Sequence, residues 1–73
     1  MKYIRTGTMS FRIFSDHESH VDIAREVKLP VVSAGFIRFD EHGAPVAYGE
    51  STSLGIKSMP AADTRLLQLI WRF

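Results

Sequence analysis

From Pro60 to Phe73 the chain reads as a helix carrying more apolar surface than one core consumes. At about 100° per residue, Ala62, Leu66, Leu69, Ile70 and Phe73 form a single stripe, which Leu67 and Trp71 widen. Thr64, Arg65, Gln68 and Arg72 remain for a polar strip. The apolar arc spans roughly 200°, against the ~100° that a one-sided core usually buries. Something beyond such a core must cover Leu67 and Trp71, so the feature speaks of association before chemistry.

Length sharpens that reading. Seventy-three residues make one domain, 1–73, and a chain this short buries only about 60% of its unfolded surface. Disulfides, a structural metal or oligomerisation normally make up the difference. The sequence has no cysteine, which removes disulfides and thiolate zinc sites and fits a reducing compartment. Self-association is the remaining staple. Hydrophobic residues make up 45% of the chain, too many for a disordered segment. The formal charge is +1 with scattered basic residues, unlike the basic patch of a dedicated nucleic-acid binder. No apolar run reaches membrane-spanning length, no charged-then-apolar leader precedes a cleavage site, and Met1 reads as a true start. The expectation is a cytoplasmic protein that needs no cofactor.

Residues 3–14 alternate with period two, Met9, Phe11 and Ile13 on one side and Thr8, Ser10 and Arg12 on the other. The phase slips near Gly7. A bulge in one long strand explains the slip, and a hairpin turning at Thr6-Gly7 is the alternative; Thr-Gly is a weak turn signal, which favours the bulge. Ser15-Asp16-His17-Glu18 has the form of a capping box and predicts a helix running to about Val27, with Pro30 helping to stop it. Val21, Ile23, Ala24 and Val27 make its apolar stripe, which also contains His17 and His20. Residues 31–39 are apolar on both parities, as in a strand covered from two sides. A turn at Asp40–Pro45 with Gly43 leads into a third strand over about 46–57, long and bent or folded into a hairpin. Ser58 leads into the last helix, with Pro60 in its first turn.

The order βαββα predicts an α+β domain, a small three-stranded mixed sheet packed with two helices. A right-handed crossover sets the first two strands parallel, and a hairpin makes the third antiparallel. Three strands and two helices do not easily cover both sheet faces from one chain. The doubly apolar second strand and the over-apolar last helix point to the same deficit, and Leu67, Trp71 and Phe36 are the expected interface residues.

Three constellations can carry chemistry. His17 and His20 share a helix face, and the topology brings His42 to the same sheet edge, a three-histidine metal set whose spacing matches no established motif. Lys57 and Ser58 precede a helix N-terminus, where an anion is favoured; the surrounding GESTSLGIKS is not a Walker loop, because Ile56 separates Gly55 from Lys57. Glu50 falls on the apolar parity of its strand, where an unpaired carboxylate is costly. Phe36 and Tyr48 are placed on opposite parities, which leaves no stacking platform for nucleic acid. The leading expectation is a non-catalytic protein-interaction or accessory module, homodimeric or docked on a protein partner. The alternatives are a weak nucleic-acid-binding protein and a small metal-dependent enzyme or ligand carrier built on the histidines.

Overall fold

The first fourteen residues form a hairpin. Lys2–Arg5 (β1) and Phe11–Phe14 (β2) pair antiparallel, Lys2 against Phe14 and Ile4 against Arg12. The structure, a computed structural model, describes residues 1–71. The reversal is held by contacts that a two-residue turn signal does not contain. The Thr6 N–H donates to Ser10 O at 2.9 Å, and Arg5 Nη1 donates to Gly7 O at 2.8 Å. The long bulged strand is thus replaced by two short ones.

Helix α1 spans His20–Val27 and starts later than the Ser15 box predicts. Ser19 is the cap, its Oγ accepting the Asp22 N–H at 3.1 Å. Ser15–Glu18 closes only a turn, Glu18 N–H to Ser15 O at 3.2 Å, while Ser15 Oγ accepts from the His17 N–H. The cap is thus Ser19, four residues past the serine that the capping-box pattern singles out. Lys28 ends the helix in the left-handed region, its N–H bonded to Ala24 O.

Ser33–Phe39 (β3) pairs antiparallel with β1 on one side and with Pro45–Tyr48 (β4) on the other, giving the order β2-β1-β3-β4. The expected parallel pair is corrected here. Because the hairpin has already reversed the chain, the α1 crossover joins β2 to β3, and β1 lies between those two parallel strands. Every neighbouring pair is therefore antiparallel. Gly43 carries the positive φ of the β3–β4 turn, and a second positive φ, at Gly49, breaks the expected third strand. Glu50–Ser51 (β5) and Ile56–Lys57 (β6) follow as a separate two-stranded hairpin. The break takes Glu50 off the apolar parity, and its side chain is exposed. The described residues thus form six strands in two sheets, in place of one mixed sheet of three strands.

Helix α2, Pro60–Ile70, packs on the sheet face that carries Tyr3, Ile37 and Ala47, with Leu67 fully buried among them. The opposite face carries Ile4, Phe14 and Ala34, covered by Ile23 of α1 and flanked by Leu54 and Ile56 of the small hairpin. One chain does supply cover for both faces, because the hairpin adds a third covering element. Arg72 and Phe73, placed on the helix wheel above, lie outside the described residues.

Candidate functional site

The polar centre of the molecule was not assigned by any local pattern. Asp63, in the first turn of α2, is fully buried against the sheet. Its carboxylate accepts from the Tyr3 phenol, from Arg5 Nε at 2.7 Å and from the Met59 N–H at 3.0 Å. Arg5 also donates to Gly7 O and to the Met59 sulfur. Ser33, the register partner of Arg5, is buried beside the group, and its hydroxyl meets no hydrogen-bond geometry among the described residues. Burial, then the hydrogen bond to Asp63, pushes the Tyr3 phenol far above its ordinary range. Burial also acts to raise Asp63, but the bonds from Tyr3, the Met59 N–H and Arg5 outweigh it and hold the carboxyl below its ordinary value. No cavity reaches this group among the described residues. It acts as an anchor that fixes α2 on the sheet. An aspartate in the first turn of a greasy helix is ordinarily a dipole partner facing water, and that ordinary role masks the long-range one.

The anchor sets which way α2 faces. With Asp63 and Leu67 inward, Thr64 and Gln68 reach the β4 side, Thr64 Oγ1 accepting from the Ala47 N–H at 2.9 Å and Gln68 Nε2 donating to Pro45 O at 3.2 Å. Leu66 and Ile70 then fall on the opposite flank, with Leu69 pointing out. Leu69 is 67% exposed and Ile70 42%. One expected interface residue is corrected by this rotation. Leu67 is core, while Trp71 is half-buried, its indole edge-on to Phe39 with ring centroids 5.4 Å apart. The apolar excess is real, but its outer edge is Leu69 and Ile70. On the same sheet face β2 contributes Phe11 and Ile13, both half-buried against the core around Tyr3 and Leu67.

The histidines do not converge. His20 is buried, its Nε2 2.9 Å from Gly35 O and its ring edge-on between Phe14 and Phe36. His17 precedes the helix and is exposed, and His42 is exposed on the β3–β4 turn beside Glu41. No group of three or more metal-binding side chains occurs among the described residues, so the proposed metal set is withdrawn. The late start of α1 is the physical reason: it leaves His17 off the helix and turns His20 into the sheet. The anion pair fares little better. Ser58 gives both its N–H and its hydroxyl to Gly49 O, at 3.0 and 2.6 Å, and Lys57 is paired in register with Glu50. The first turn of α2 already faces the Asp63 carboxylate.

Phe36, the third expected interface residue, is half-buried, and its position changes an earlier inference. The β3–β4 register sets Phe36 directly against Tyr48, so the two share a face, with ring centroids 5.8 Å apart and planes 33° from parallel. They are not on opposite parities.

No described helix is long and apolar enough to cross a membrane. Comparison with protein-family models, with curated proteins and with solved structures finds no match to this chain.

Proposed function

We propose that this chain is a non-catalytic interaction module that pairs with a second copy of itself through the outer flank of α2. The observation that carries the reading is the exposure of Leu69 and Ile70 on the flank of α2 turned away from β4, beside half-buried Leu66. Leu69 and Ile70, with half-buried Leu66 beside them on the helix, leave an apolar edge on α2, and exposed apolar surface of this kind marks association sites. A second copy is the favoured occupant because a cysteine-free chain of 73 residues gains most from it: burial of this flank adds the apolar area that a small core lacks.

Sedimentation velocity over a range of concentrations tests the proposal. Wild-type chain is expected to show a concentration-dependent dimer. A Leu69→Glu, Ile70→Glu double substitution should give a monomer with an unchanged far-ultraviolet spectrum, because both side chains already meet water. Leu67→Glu should instead unfold the chain. A wild-type chain that stays monomeric throughout, or a double variant that still dimerises, refutes the assignment.

A further inference from the structure

On the sheet face opposite α2, one rung runs across all four strands as Phe14, Lys2, Phe36 and Tyr48, each in register with the next. The α1 side of that rung is closed by His20, whose ring fills the space between Phe14 and Phe36. The β4 side is open, and Tyr48 is 44% exposed. Phe36 is held from two directions, by the edge of His20 and by the backbone at Gly49, where a Cβ would come within 3.1 Å of the ring. Phe36 is therefore a fixed ring, against which the exposed Tyr48 ring lies.

Cations interleave with these rings. Lys2 is the register partner of Phe36 on one side, and Arg38 lies two residues further along β3 on the same face. Neither has a carboxylate within ion-pair distance among the described residues. Lys2 spends one donor on Glu18 O, at 2.9 Å. Of the nearby acids, the Asp40 carboxylate accepts the N–H groups of His42 and Ala44, and Glu50 is the register partner of Lys57.

We propose that Phe36 and Tyr48, flanked by Lys2 and Arg38, form a stacking platform for single-stranded nucleic acid. Aromatic faces accept any base, and interleaved cations track the phosphates, which is how sequence-tolerant single-strand binders work. An apolar peptide laid on the same surface would strip water from an ammonium and a guanidinium without replacing it, a cost that an anionic chain does not incur. The platform lies on the other face from the self-association flank, so the two proposals stand or fall separately.

Fluorescence anisotropy of a labelled oligothymidylate with the full chain tests this. Binding should saturate at low salt, and log K should fall with log salt at a slope of about −1.4, for two phosphate contacts on a single strand. Tyr48→Ala should weaken binding by about five- to 150-fold, and Tyr48→Phe should keep most of it. Arg38→Gln should reduce the slope to about −0.7. In amide spectra of the wild-type chain the oligonucleotide should shift Lys2, Phe36, Arg38 and Tyr48 first. Three results overturn the proposal: no saturable binding at low salt, a Tyr48→Ala chain that binds as wild type does, or heparin, an anion without bases, competing as well as unlabelled oligonucleotide.

Discussion

The two faces of the central sheet hold their helices by different means. On one, α2 is fixed by directional polar contacts: Tyr3, Arg5 and the Met59 N–H all converge on Asp63, and Thr64 and Gln68 reach the backbone of β4. On the other, α1 rests on Ile23 among aliphatic and aromatic neighbours, with a single side-chain hydrogen bond, from His20 to Gly35, reaching the sheet. Apolar packing tolerates small rotations of a helix; a buried carboxylate with three donors does not. The α2 face therefore specifies an orientation, and the α1 face supplies area.

The largest expected effect separates the two faces directly. Asp63→Ala leaves Arg5 buried without a counter-charge, which costs about 3–5 kcal/mol. Total stability for a chain of this size is on the order of 4–11 kcal/mol, so the variant should be close to unfolded. His20→Phe keeps an aromatic ring but loses the bond to Gly35, and should cost about 1–3 kcal/mol. Urea titration of both variants measures the contrast; equal losses would mean that the polar anchor has no special weight.

The same anchor bounds stability on the pH axis. Asp63 is held below its ordinary value of 3.8, so the folded chain binds fewer protons there than the unfolded one. Its contribution is complete above that value and fades as pH falls through it. Tyr3 works in the opposite sense: its phenol is pushed above the ordinary 10.0, so its contribution is complete below pH 10.0 and fades as pH rises beyond it. Denaturation measured across pH should show a plateau between these limits. Tyr3→Phe should abolish the alkaline limb and, by removing one of the bonds that hold Asp63 down, weaken the acid limb as well; an alkaline limb that survives this change would remove Tyr3 from the explanation.

The smallest effect concerns α1. Ser19→Ala should cost about 1 kcal/mol through loss of the cap on Asp22, and Ser15→Ala should cost less, because its hydroxyl only accepts from His17 in an exposed turn. Thermal melts of the two variants decide which serine starts the helix.

Local pattern was a good guide wherever local forces decide. The α2 start at Pro60, the turn around Gly43 and a second strand covered on both faces all follow from residues close in sequence. The N-terminal hairpin did not, because Arg5 and Thr6 stabilise a reversal that Thr6-Gly7 alone does not signal. The orientation of α2 was least legible. An apolar arc of roughly 200° lets a helix roll through many positions at little cost. The roll is settled by Asp63 meeting Tyr3 and Arg5, 60 and 58 residues away, and no window of sequence contains that meeting. The interface assignment of Leu67 failed for this reason, while the histidine set failed locally, because α1 is capped by Ser19 and starts past His17.

The place of β1 between β2 and β3 has a consequence for the order in which the molecule is completed. On a chain growing from its N-terminus, one edge of β1 finds its partner once Phe14 has been added, while the other waits for Ser33–Phe36. Arg5 waits longer still, since its carboxylate arrives only with Asp63. Until α2 is synthesised, the middle of the sheet holds a guanidinium without its carboxylate, and burying it unpaired is costly. The last helix thus carries the counter-charge that makes closure of the sheet centre favourable.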